Sequence, residues 1–141
     1  MTFKKNDSAG YLINHLSRLF ARQLQAAIKP MGLSTGVFPA LLELWEKDGL
    51  TQRDLVRRLD IEQATMANTL SRMERDGLIR RQADPNDGRV QQVWLTPKAR
   101  ALEPEAKAAA RHINETALGV LSADEQALFI DLMRKVLIGR T

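Results

Sequence analysis

Apolar residues Leu12, Ile13, Leu16, Leu19, Phe20, Leu24, Ala27 and Ile28 return every three or four positions until Lys29, Pro30 and Gly32 interrupt them. This is the spacing of one long amphipathic helix. A second helix is predicted from Ser34, a capping residue, through Val37, Phe38, Leu41, Leu42, Leu44 and Trp45 to Asp48-Gly49, with a bend at Pro39. Thr51 and Asp54 are spaced as a short-armed capping box, and Leu50 and Leu55 as a hydrophobic staple, so a third helix starts at Thr51 and runs to about Leu59. After the turn Leu59-Asp60-Ile61, the segment Glu62 to Arg75 sets Met66, Leu70 and Met73 on one side and stops at Asp76-Gly77. The runs LIRRQA (78–83) and VQQVWL (90–95) then read as strands around the turn formers 84–89, a β-hairpin with Arg89 at its tip. Thr96-Pro97 opens an alanine-rich helix through Ala99, Leu102, Ala106 and Ile113, with a kink expected at Pro104. Ser122 and Glu125 form a full capping box for a last helix, whose Leu128, Phe129, Leu132, Met133, Val136 and Leu137 make a broad apolar face.

The 141 residues include no cysteine, which excludes a disulfide scaffold, a thiol nucleophile, a thiolate metal site and thiol-based redox sensing. No apolar run approaches the length of a membrane span, and the start MTFKKNDSAG does not read as a signal peptide, so a cytoplasmic protein without a membrane partner is expected. A net charge of +4 favours an anionic partner. Residues 50–95 nevertheless carry eight basic and seven acidic side chains, so the positions of the arginines matter more than their number. His15 and His112 are the only histidines, and neither has acidic or histidine neighbours at ligand spacing. No metal site or cofactor is expected. The chain also has no nucleophile elbow, no phosphate-binding glycine loop and no histidine with an orienting partner, so it does not read as an enzyme.

Helix, turn, helix and basic hairpin in that order is the arrangement of a winged helix–turn–helix, whose second helix enters the major groove of DNA. The fold class is mainly α, an α+β winged helix with flanking helices. Turning Met66, Leu70 and Met73 inward at about 100° per residue puts Ala64, Asn68, Ser71 and Arg75 outward, with Thr65 and Arg72 beside them. That face is polar or small, and suited to lying close to bases. The sequence divides into an N-terminal dimerisation helix (1–33), a winged DNA-binding region (34–96) and C-terminal dimerisation helices (97–141), all within one structural domain. The terminal helices carry wider apolar faces than one small lobe can cover, which a homodimer resolves. Two recognition helices about 34 Å apart then call for a near-palindromic operator in double-stranded DNA.

The segment LTQRDLVRRLDIEQATMANTLSRMERDGLIRRQADPNDGRVQQVWLT, with DGLIRR followed by DPNDGR and a WLT helix entry, resembles the MarR family of transcriptional regulators. The resemblance implies an obligate homodimer with interlocking terminal helices, two winged lobes and, often, a small-molecule site between dimer and DNA-binding regions. It places Gln63, Ala64, Thr65 and Asn68 at positions that face bases, and Arg72 as a phosphate contact or the partner of a wing acid. Asp87 and Arg89 match the paired wing residues. Ser71 on the outward helix face and Arg80 in the first wing strand complete the expected DNA contacts. Asn68 can pair bidentately with adenine, as can Gln63 from the helix start, and Arg89 offers a guanidinium to the minor groove. The sequence departs from the family at Asp60, where many relatives have glycine, and at Asn68, where arginine is frequent. Glu62 is also a poor N-cap.

The ordinary reading of Arg53, Arg57, Arg58 and Arg75 is a solvated surface with local acidic partners, and that of Trp94 is packing against the lobe. His15 reads as a plain helix residue or as joining Arg18 and Trp45 around a small aromatic effector that releases a repressor from DNA. The alternative to a DNA-binding regulator is a winged-helix protein-interaction module, because many wings bind proteins.

Overall fold

The computed structural model describes residues 2–140. Helix α1 spans Ala9–Ile28, with Oγ of Ser8 accepting from the Tyr11 N–H at its start. Helix α2 spans Phe38–Glu46 and begins later than the sequence suggests, because residues 35–37 form a turn and Ser34 makes no cap. Pro39 consequently falls in the first turn of α2, where the missing N–H has no helical partner to lose, and it does not bend the helix interior. Strand β1 is Leu50–Thr51, too short to show an alternating pattern in sequence.

Helix α3, Gln52–Leu59, has the expected capping box in full: Thr51 Oγ1 accepts from the Asp54 N–H at 3.1 Å, and Asp54 Oδ2 accepts from the Thr51 N–H at 3.0 Å. Leu50 and Leu55, the two arms of the staple, are both buried. Asp60 takes the left-handed conformation (φ 53°) that turns the chain into α4, Gln63–Arg75. Met66, Leu70 and Met73 of α4 are sealed in the core, as their spacing requires.

Strands β2 (Ile79–Asp84) and β3 (Asp87–Leu95) form the hairpin, and β3 also pairs with β1, giving the antiparallel order β1-β3-β2. The hairpin turn is only Pro85-Asn86, shorter than the six turn-forming residues suggest, because Asp84 and Asp87 already face one another. Helix α5 spans Pro97–Ala117, capped by Thr96 and unbroken through Pro104. Helix α6 spans Ala123–Ile138 behind the Ser122–Glu125 capping box, with both reciprocal hydrogen bonds made.

One core cluster gathers Ile28, Leu41, Leu44, Leu55, Leu70, Val93, Ala99 and Ala106, so α1 and α5 belong to the same packed body as the winged lobe. Asp48, at the end of α2, links three elements. Its Oδ1 accepts from the N–H groups of Gly49 (3.1 Å) and Leu95 (2.9 Å), and its Oδ2 accepts from Arg100 of α5. Thr96 and Lys98 fasten the start of α5 to the end of α4 through carbonyls of Gly77, Leu78 and Asp76. By contrast α6 has no buried residue: Leu128, Leu132, Val136 and Leu137 are each more than half exposed. Leu12, Ile13, Leu16 and Leu19 of α1 are exposed as well.

Candidate nucleic-acid interface

With its apolar side locked into the core, α4 presents Gln63, Ala64, Thr65, Asn68, Ser71 and Arg72 on the surface, and all six are exposed. Glu62 precedes the helix without a side-chain cap, in keeping with its long arm. Gln63 is held from behind: Nε2 of Gln52, the first residue of α3, donates to Oε1 of Gln63 at 3.0 Å. Arg72 reaches toward the loop before α2, where a Cβ on Gly36 would lie 3.3 Å from its Nη2. It makes no ion pair among the described residues, and the wing acid Asp87 pairs with Arg89 instead.

The wing owes its shape to a break in register. Ala83 faces Gln91, but the next residue, Asp84, faces Asp87, so Gly88, Arg89 and Val90 have no ladder partner on β2. A bulge of this kind aims a side chain away from the sheet. Arg89 accordingly has a side chain 91% exposed, and the carboxylate of Asp87 holds it. Asp87 Oδ1 accepts from both the main-chain N–H and Nε of Arg89, each at 3.1 Å, and Oδ2 lies 3.4 Å from Nη2. The Arg89 side-chain and backbone hydrogen bonds lower the Asp87 pKa below the ordinary carboxylate value.

A cleft of about 350 Å³ lies between the start of α3 and the wing, with Gln52, Arg53, Arg81 and Arg89 in its walls. Arg81 also reaches Glu74 of α4 at 3.6 Å. Arg80 points elsewhere, stacking over Trp94 at 6.0 Å and donating to Gln82. Arg58 and Arg75 have local acidic partners, Glu43 and Asp76, as a solvated face provides. Arg72 of α4 and, in the wing cleft, Arg53 and Arg89 are exposed. The sequence does not single out Gln52, Arg53 or Arg81 for the interface. An amide pair eleven residues apart has no sequence signature, and the strand face of Arg81 depends on the register of the hairpin.

The three residues considered for an effector have separate surroundings in the chain. His15 is exposed on α1 with its ring against Tyr11, at 6.5 Å between centroids, and Arg18 is exposed on the same helix. Trp45 packs edge-on against Phe38, and its indole N–H donates to the Ala99 carbonyl at 3.0 Å. Trp94 is half-buried against Gly49. No group of three or more histidine or acidic residues that could hold a metal ion is found among the described residues. No helix among them is long and apolar enough to cross a membrane.

A buried-backed recognition helix, a braced basic wing and flanking helices define a winged helix–turn–helix protein of the transcriptional-regulator class. The MarR family profile matches residues 33–90, and the chain belongs to that family. The transcriptional regulator HosA of Escherichia coli is 39% identical over 92 residues, covering 65% of this chain and 68% of HosA. A probable transcriptional regulator of Pseudomonas aeruginosa superposes with a TM-score of 0.85 at 34% identity, covering 94% of this chain and 99% of that one. The transcriptional repressor Rv2887 of Mycobacterium tuberculosis is 29% identical over 127 residues, covering 90% of this chain and 91% of Rv2887. Its structure in complex with salicylic acid superposes with a TM-score of 0.72, covering 92% of this chain and 96% of that one.

Proposed function

We propose that the protein is a cytoplasmic, homodimeric repressor that binds a near-palindromic operator in double-stranded DNA and has no catalytic activity of its own. The observation that carries this reading is the pairing of an exposed, small-residue face on α4 with a wing whose bulge thrusts Arg89 outward under the hold of Asp87. Helix α4 would lie in the major groove with Gln63, Ala64, Thr65, Asn68 and Ser71 toward the bases. Arg72 and the cleft arginines would meet phosphates, and Arg89 the minor groove, where a guanidinium is drawn by the negative potential. Arg80, stacked on Trp94, would contact the backbone from the outer side of the wing.

The bare apolar faces of α1 and α6 support the homodimer. A second copy buries the same surfaces on both partners, with the lobes separated by a turn of DNA. Rv2887, crystallised with salicylic acid, supports a small aromatic acid as effector. Such a ligand acts if it binds more tightly to a dimer whose lobe spacing does not match successive major grooves. His15 and Arg18 supply exposed polar groups for it, whereas Trp45, with its N–H engaged, can offer only ring surface.

Selection from random duplex DNA tests the reading. The expected product is one inverted repeat, bound by two chains. Failure to enrich any sequence, together with capture of DNA that is insensitive to sequence, contradicts it.

A further inference from the structure

Gly32, Gly49 and Gly77 have the positive φ that favours glycine, but Gly36 does not. Its backbone would accept a side chain; its surroundings would crowd one. A Cβ built on Gly36 would stand 3.3 Å from Nη2 of Arg72 on α4 and 3.8 Å from Oγ of Ser34. The missing side chain leaves room for the tip of Arg72. The loop that carries Gly36 is fixed on several sides. Leu33 and Val37 are buried, and the Val37 N–H donates to the Ser34 carbonyl at 3.3 Å. From α1, Oε1 of Gln25 accepts from the Thr35 N–H at 3.0 Å, and Nε2 of Gln25 reaches the Leu33 carbonyl at 3.5 Å. The sequence has no aspartate or glutamate between Asp7 and Glu43, so neither α1 nor this loop neutralises the guanidinium. Arg72 makes no hydrogen bond or ion pair among the described residues.

We propose that residues 33–36 form a seat that holds the Arg72 guanidinium ready for a DNA phosphate, with Gly36 giving it room and Gln25 fixing the loop. Gln25 and Gly36 are then positioning residues for DNA binding. The proposal rests on the DNA-binding reading above. An arginine loses rotamer freedom when it engages a phosphate, and one whose range is already restricted loses less. A carboxylate partner also restricts an arginine, as Asp87 does Arg89, but it adds a negative charge that repels the phosphate. A glycine loop without an acid restricts the side chain by shape and leaves its whole charge to the duplex. Because Gln25 lies on α1, whose exposed apolar residues the proposed second copy covers, the seat also ties a phosphate contact to the terminal helices.

The experiment titrates the duplex selected by wild type over a series of salt concentrations. The chains are wild type, Arg72→Ala, Gly36→Val, Gln25→Met, and the last two each combined with Arg72→Ala, all checked for native helix content by circular dichroism. Arg72→Ala is expected to weaken binding and to make the log–log salt slope shallower by about two, one phosphate for each chain of the dimer. Gly36→Val fills the space at the arginine tip, and Gln25→Met removes both hydrogen bonds with little change in side-chain shape. Each should weaken binding about tenfold across the dimer, and the penalty should vanish once Arg72 is alanine. A merely structural role for either residue would weaken binding equally in both backgrounds. The proposal is overturned if either substitution leaves affinity unchanged, if its penalty persists undiminished without Arg72, or if Arg72→Ala alone has no effect. Should Gly36→Val lose native helix content, Gln25→Met decides by the same comparison. A wild type that selects no duplex overturns the DNA-binding reading itself, a separate and recognisable result.

Discussion

Gly49 has a φ of +79°, and a Cβ added there would lie 2.7 Å from Cζ2 of Trp94. Both the backbone and the indole ring therefore require glycine. Gly49→Ala is expected to destabilise the fold by about 2 kcal/mol, combining left-handed strain with displacement of the ring. Urea unfolding reads the loss, and a shift in tryptophan emission reads the movement of the ring, whose buried N–H has no hydrogen-bond partner among the described residues. At Asp54, the hydrogen bond from the Thr51 main chain lowers the carboxyl pKa most, aided by the Thr51 side chain and by Arg57 and Arg58. A carboxylate lowered on folding stabilises fully above its unfolded pKa, and that contribution is lost as pH falls through the folded value. Asp54→Ala should thus cost about 0.5–1 kcal/mol at neutral pH, with the difference from wild type shrinking in acid. Unfolding titrations at several pH values check both the cost and its direction. Thr51 and Asp54 were readable in sequence because a capping box is a local pattern. The contacts between Gly49 and Trp94 and between Gln52 and Gln63 were not, because each depends on how distant elements come to rest.

Among the elements, local signals located α3, α4, the hairpin and the capped start of α6, whereas Ser34 and Pro39 misplaced the start of α2. A serine followed by apolar residues is a valid cap signal, but here the chain spends residues 35–37 on a turn that drops Val37 and Phe38 into the core. Hydrophobic demand thus prevailed over capping preference. The sequence predicts the wing as a hairpin but not as a bulged one, since a three-residue slip leaves no trace in alternation. In sequence Asp48 reads as a simple helix stop, yet it ties α2, β3 and α5 together. Removing it leaves the Leu95 N–H and the Arg100 guanidinium without that partner. Asp48→Ala is expected to lower stability by about 2 kcal/mol in urea unfolding. The same variant should exchange the Leu95 amide hydrogen faster than wild type, a readout specific to this junction.

Across the whole molecule, the winged lobe is fully packed while the outer faces of α1 and α6 are not. Leu132, half exposed on α6, belongs to the surface that the proposed second copy covers. Leu132→Glu should bury a charge at that interface and shift the sedimenting species from twice 15.9 kDa toward 15.9 kDa, with helix content retained. Wild type that already sediments as a single chain would remove the dimer from the account. If Arg89 and its symmetry mate grip DNA from the two wings of the proposed dimer, the salt dependence of operator affinity shows it most directly. We would measure binding of the selected duplex by wild type and Arg89→Ala over a range of salt concentrations. Wild type should show a steep fall in affinity with salt, and Arg89→Ala a weaker affinity with a log–log slope shallower by about two, one cation for each wing. An affinity indifferent to salt, or a slope unchanged by the substitution, would contradict the account.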